Sequence, residues 1–175
     1  MFEQSFYDHS NRLQKKLRDE VERLPEEEIR SNSIDQIVAR LAQKYQLDVP
    51  VVETDPNKFV WDVKKNEAVD SQSAVVSVPF TGDRELFAFN PHAHPLLNVP
   101  VSVKATTLEV STQLNRKNPA PQIENVKTEV GRIAQCMKAM AQLARQHNER
   151  MPTLAKELVD ARRARFEAKT HSSIN

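Results

Sequence analysis

Glycine is almost missing from this 175-residue chain, which holds only Gly82 and Gly131. Folds that bind dinucleotides or nucleoside triphosphates need clustered glycines, because a Cβ holds the backbone away from the phosphates. Those cofactor classes are excluded, and no cofactor is expected. Cysteine is scarcer still: Cys136 stands alone, which rules out an internal disulfide and any multi-thiolate zinc site. No apolar run approaches the roughly 20 residues that span a bilayer. The opening MFEQSFYDHS lacks the basic start and apolar stretch of a secretory signal. A cytoplasmic location without a membrane partner is the expectation. One-sided charge is absent too: the formal net charge is +1, so no global field draws the molecule to nucleic acid or lipid.

What is present is globular. Hydrophobic residues make up 39% of the chain and charged residues 28%, enough to bury an ordinary core within one domain. Phe6, Leu13, Leu17, Val21 and Leu24 recur at helical spacings and predict a first helix over Ser5–Leu24. Pro25 interrupts it, and Glu26, Glu27 and Glu28 follow as an acidic bridge. Ser33 with Gln36 three residues on has the pattern of a capping box, in which each side chain satisfies an orphan backbone donor of the first turn. A second helix is therefore predicted, with Ile34, Ile37, Val38, Leu41, Ala42 and Tyr45 on one face.

The middle third changes period. Val49–Val52, Phe59–Val63, Ser73–Phe80, Val99–Ala105 and Thr107–Leu114 are short, rich in β-branched or aromatic residues, and bounded by Pro, Asn, Asp or Gly. Ala74, Val76, Val78 and Phe80 share one face of the third segment, with Val75 and Ser77 opposite. The Lys104–Thr107 step between the last two predicts a tight antiparallel hairpin. After a polar linker, Asn115–Pro121, the helical period returns. Ile123, Val126, Val130, Ile133, Met137, Met140, Ala144, His147 and Met151 alternate spacings of three and four, a coiled-coil-like seam of about four heptads. Pro152 fits the first turn of a final helix carrying Leu154, Leu158 and Val159. Gly131 inside the seam helix suggests close packing against a neighbour. The expected fold class is α+β: two N-terminal helices, a small mainly antiparallel sheet, and a long C-terminal helix followed by a shorter one. Residues 1–121 would form the α+β body and residues 122–175 a helical pair packed as part of the same domain.

Chemistry-bearing residues are few, and each has an ordinary reading. Thr81, Gly82 and Asp83 form either a plain turn, with Gly82 at positive φ and Asp83 capping a short helix, or a ligand loop; the turn is favoured. His92 and His94 fall short of the three or four ligands a zinc site takes. Asp55, Asp62 and Lys64 echo the acid–acid–lysine set of metal-dependent nucleases, but the Asp55-Pro56-Asn57 step is a turn and the spacing is short. Cys136 has no paired base and is expected to be a buried thiol. Arg162, Arg163 and Arg165 make the last helix basic: residues 145–175 hold seven Lys/Arg against four Asp/Glu, a net of +3. They are candidate contacts for an acidic partner or for phosphates.

The stretch Val76–Phe87 with Asn90-Pro91, the pair Met151-Pro152, the run Ala161–Phe166 and the helix Ser31–Leu41 together resemble a group of uncharacterised bacterial proteins. Those proteins carry a C-terminal restriction-endonuclease-like nuclease domain. The resemblance covers most of this chain and identifies it with their non-nuclease region, which implies an anti-phage or genome-defence setting. The sequence reaches Asn175 without a segment matching the nuclease domain, so no cleavage residue carries over.

The favoured expectation is a non-enzymatic accessory or assembly module. It would bind protein, either a second copy of itself or an effector subunit, through the seam Ile123, Val126, Val130, Ile133, Met137 and Met140; the alternative is that this helix packs wholly within the domain. The rival expectation is a nucleic-acid-binding module using the basic C-terminal helix. The third is an enzyme with a pocket formed by the loops over residues 81–94, against which stands the lack of a nucleophile–base pair or metal set.

Overall fold

The computed structural model describes residues 1–64, 71–90 and 97–172. The N-terminal apolar stripe becomes α1, Phe6–Arg23. Glu26–Glu28 do not bridge to the next helix but open one of their own, α2, Glu26–Ser31. Three carboxylates in a first turn complement the positive end of the helix dipole, which is why an acidic run that reads as a linker winds into a turn of helix. The chain thus has three N-terminal helices rather than two. α3, Ile34–Lys44, begins as the sequence predicts: Gln36 N–H donates to Ser33 Oγ at 3.2 Å and Ser33 N–H donates to Gln36 Oε1 at 3.3 Å.

The strands are β1 (Gln4–Ser5), β2 (Val51–Val52), β3 (Val60–Lys64), β4 (Ser71–Thr81), β5 (Phe89–Asn90), β6 (Val101–Val103) and β7 (Thr107–Asn115). β4 is the hub. It pairs antiparallel with β7 on one side and with β2 and β3 on the other, and β6 extends the sheet beyond β7. β1 and β5 form a separate parallel pair. Glu53 N–H donates to the Pro79 carbonyl at 2.9 Å, whereas Phe80 N–H donates to the Thr106 carbonyl at 3.0 Å. Odd-numbered residues of β4 therefore turn their backbone groups toward β2 and β3, and even-numbered ones toward β7. Side chains alternate as expected: Ala74, Val76, Val78 and Phe80 are buried with Leu108, Val110 and Leu114. The tight hairpin is present, closed by Lys104 N–H on the Thr107 carbonyl at 2.8 Å.

α4 runs unbroken over Ala120–Ser172, 53 residues, with Pro152 inside it. The shorter final helix expected after Pro152 is part of this one helix. A proline inside a helix removes one ladder hydrogen bond and costs about 3 kcal/mol. Here Pro152 is exposed, while Met151, Leu154 and Ala155 around it are buried. About 1.5–3 kcal/mol per buried large apolar side chain keeps the helix continuous through the defect.

The chain forms two compact units. The first comprises Met1–Phe6 and Asp48–Gln142, the second Tyr7–Leu47 and Leu143–Asn175. α4 starts at the linker and contributes to both units. The first unit holds the sheet and the early part of α4. The second has its own core of Leu17, Val21, Leu24, Ile29, Ile37, Leu41, Tyr45, Met151, Leu154, Ala155 and Val159. Among the described residues no helix is long and apolar enough to cross a membrane.

The two glycines have opposite roles. Gly82 sits at φ +91°, and a Cβ there would stand 2.9 Å from the Val49 carbonyl oxygen, inside backbone contact distance. Gly131 meets nothing within 4 Å where its Cβ would be, so the close packing expected of it is absent. Gly82→Ala is expected to lower the unfolding free energy by about 1–3 kcal/mol. Gly131→Ala should raise it by about 0.5–1 kcal/mol. Urea denaturation of the two variants measures both signs.

Candidate functional site

Thr81–Asp83 is a turn whose polar groups are used by the chain itself. Asp83 N–H donates to the Asp48 carbonyl at 2.8 Å, and Asp83 Oδ1 accepts from Glu85 N–H at 2.9 Å at the start of a 3-10 turn over Arg84–Ala88. The turn fastens residues 48–50 beside β4. His92 and His94 lie outside the described residues. Asp55 caps a 3-10 turn over Pro56–Lys58 by accepting from Asn57 N–H, and Asp62 and Lys64 are exposed on β3, so these acids do not converge. Among the described residues no three His, Cys, Asp or Glu side chains come together for a metal. Cys136 is half-buried, and burial pushes its thiol up to about 11, which leaves it protonated and a weak nucleophile at neutral pH.

Two expectations are corrected. The seam is not an open surface: Val126, Val130, Ile133, Met137 and Met140 are all at most 2% exposed within the single chain, and Ile123 is half-buried. Heptad spacing arises here because a helix lying on a sheet and on other helices needs the same apolar stripe as one lying on a partner. The three arginines are likewise engaged within the second unit. Arg162 donates to the Leu24 carbonyl at 2.8 Å and to Glu22 at 3.1 Å, and stacks over the Phe166 ring at 4.8 Å. Arg163 donates to the carbonyls of Ile29 and Asn32. Arg165 pairs with Glu22, and its hydrogen bond is the first cause holding that carboxyl below the usual range. Arg162 and Arg163 thereby satisfy orphan carbonyls at the ends of α1 and α2.

Buried polar groups mark the other places where chemistry is worth seeking. Glu129, on α4, is fully buried; its Oε1 accepts from Arg132 at 2.7 Å and from the Asn98 side chain at 3.0 Å, and its Oε2 from Asn98 N–H at 3.3 Å. It anchors the segment leading into β6. His147 is 4% exposed. The Tyr45 carbonyl can only accept, so Nε2 carries the proton and donates to it at 3.1 Å, and Nδ1 accepts the Ser10 hydroxyl at 2.8 Å. Beside it, Asn148 makes a two-way amide pair with the Leu47 backbone, at 2.9 and 3.0 Å. Ser10 and His147 thus have the hydrogen bond of a nucleophile–base pair, but their contacts join α1, α4 and the end of α3. In the sequence His147 counts as a member of the apolar stripe, and neither Ser10 nor Glu129 stands out; polar side chains on that side of the helix were the available signal.

The remaining candidate is a groove in the first unit with a volume of about 490 Å³. One wall is Val49–Thr54 with Pro79, Phe80 and Thr81, and the other is Ala134, Met137, Lys138 and Ala141 of α4. Val52, Phe80 and Met137 give it an apolar floor. Val51 pairs with Thr81, and Glu53 turns its N–H to Pro79, so Val52 between them directs its own N–H and C=O to the open side. Glu53 is committed to its own loop: Oε1 accepts from Thr54 and Asp55 N–H, and Oε2 pairs with Lys58 at 2.6 Å. That hydrogen bond from Lys58 holds the Glu53 carboxyl below its ordinary range. Lys138 is exposed and has no acidic partner among the described residues. Of the expected site residues only Thr81 and Met137 line the groove.

No protein-family model, no curated protein and no solved structure matches this chain.

Arg163→Ala should cost about 1–3 kcal/mol of stability, since it strips the donors from two helix-end carbonyls. Chemical denaturation checks this. Burial lowers the pKa of His147 below 6.5, so the folded state binds fewer protons than the unfolded one. Stability is expected to be full above about pH 6.5 and to fall as pH drops from there toward the folded-state pKa. Unfolding curves at several pH values test the slope, which His147→Gln should flatten.

Proposed function

We propose that this protein is a non-catalytic interaction module whose groove beside β2 takes an extended segment of a partner protein. The observation that carries the reading is the conjunction at Val52: a backbone N–H and C=O at a sheet edge, set against an apolar floor and flanked by the ammonium of Lys138, none of these groups having a partner among the described residues. An added strand gains its affinity from main-chain hydrogen bonds and its specificity from pockets for alternate side chains. The bound segment would place one apolar side chain on Val52, Phe80 and Met137 and an acidic one near Lys138. β2 spans two residues, so only about 3–4 residues of the partner can be held in strand register.

Where the resemblance to the non-nuclease regions of nuclease-bearing proteins holds, the partner would be an effector subunit. Nucleic acid is the weaker reading, because the guanidinium groups that suggested it are committed to Glu22 and to helix-end carbonyls. Assembly through the seam of α4 is weaker for the same kind of reason, its side chains being interior.

The probe is a blocked peptide of alternating valine and glutamate, titrated into the isotopically labelled protein and followed by amide chemical shifts. Saturable shifts confined to residues 49–54, 79–81 and 134–141 are expected. Ala141→Trp, which fills the groove from its exposed wall, should abolish them, and Lys138→Glu should weaken binding about tenfold while the fold is kept. No saturation up to about 1 mM, or shifts centred elsewhere, would remove the groove from the account.

A further inference from the structure

Among the described residues β3 pairs with β4 alone, so it stands at an edge of the sheet. Val60 is 65% exposed and Val63 38%, two of the largest exposed apolar side chains in the described chain. Val60, Asp62 and Lys64 stand opposite Ser77, Val75 and Ser73 of β4, the odd-numbered residues that turn their backbone groups toward β3. Those three residues therefore make the hydrogen bonds to β4, and Trp61 and Val63 direct their N–H and C=O outward. An exposed edge of this kind is a template for another strand.

The sequence of the edge restricts which strand. A second β3, laid antiparallel about a two-fold axis, can align the outward groups in three registers. With Trp61 opposite Val63 of the second copy, Asp62 faces Asp62, and like charges directly opposite are unfavourable. With Trp61 opposite Trp61, both carboxylates face Val60 and gain no counter-charge. With Val63 opposite Val63, the two valines exchange both backbone hydrogen bonds. Each Asp62 then faces Lys64 of the other copy, in the wider-bonded positions where side chains come closest. The charge order Asp-Val-Lys is thus self-complementary in one register only, and that register obeys the backbone alternation set by β4.

We propose that β3 pairs with the β3 of a second copy of this chain, antiparallel and centred on Val63, so that the sheet continues across a two-fold interface. This surface contains no residue of the groove, and it stands or falls independently of the function proposed above. A two-fold contact is self-complementary by construction, so the same Asp62–Lys64 pair forms twice.

Sedimentation of the full chain between about 10 µM and 1 mM tests the proposal, with circular dichroism to confirm the fold of each variant. Wild type should show a concentration-dependent dimer. Asp62→Lys and Lys64→Asp, each placing like charges opposite one another, should each raise the dissociation constant about tenfold or more. The double variant Asp62→Lys with Lys64→Asp should restore wild-type association, because the pairs are re-formed with their signs exchanged. A wild type that stays monomeric to about 1 mM overturns the proposal. So do single variants that dimerise like wild type, and a double variant that fails to recover, which would place Asp62 opposite itself. Because both side chains are exposed on the edge, a variant that loses its fold is replaced by Asp62→Asn or Lys64→Gln, which should weaken the dimer without reversing charge.

Discussion

Pro79 has no N–H to donate, and it stands in the strand on which the first unit is built. Its carbonyl still accepts from Glu53, but the return bond to Glu53 has no donor, so the ladder between β2 and β4 ends there. Much follows from that one missing proton. β2 stays two residues long, the chain leaves the sheet through the Asp55-capped turn, and pairing with β4 resumes only at Val60. The edge is thereby cut into two short pieces with different surroundings, one against α4 and one open. On its other side Pro79 is harmless, because β4 addresses β7 there through its even-numbered residues.

The second unit is held by groups that reach across long stretches of sequence. Arg162 bonds the Leu24 carbonyl and Arg163 the carbonyls of Ile29 and Asn32, so the last part of α4 serves as the C-cap of two helices that have no glycine to end on. This has a cost: Arg162 Nε is buried without a partner. His147 and Asn148 do the same for the end of α3, bonding the backbone of Tyr45 and Leu47. In a chain with only two glycines, side-chain donors take over the task that a left-handed residue would otherwise perform.

The sequence was most readable where local rules and tertiary packing agree. The Ser33–Gln36 box, the alternation along Ala74–Phe80, the Lys104–Thr107 hairpin and the turn at Gly82 all appear as read, because each is decided within a few residues. The misreadings share a cause: a local signal was assigned a partner of the wrong kind. The α4 stripe has the period of a coiled coil, yet it is buried by its own chain. The arginine run has the charge of a phosphate site, yet its acceptors are carbonyls some 130 to 140 residues earlier. Pro152 has the look of a helix start, yet packing on both sides carries the helix through. The groove was illegible because its walls, Val49–Thr54 and Ala134–Ala141, are brought together only by the fold, and neither carries a motif.

The second unit is made from two distant segments, Tyr7–Leu47 and Leu143–Asn175, with the larger part of the first unit, Asp48–Gln142, lying between them in sequence. On a ribosome this imposes an order of events. Residues 48–142 can close their sheet once they have emerged, whereas α1, α2 and α3 must wait for the C-terminal part of α4, made at about 5–20 residues per second. Until then the core around Leu17, Val21, Ile29, Ile37 and Leu41 lacks Met151, Leu154, Ala155 and Val159. The nascent chain therefore exposes one side of an amphipathic helical segment until the helix that completes its core has been made.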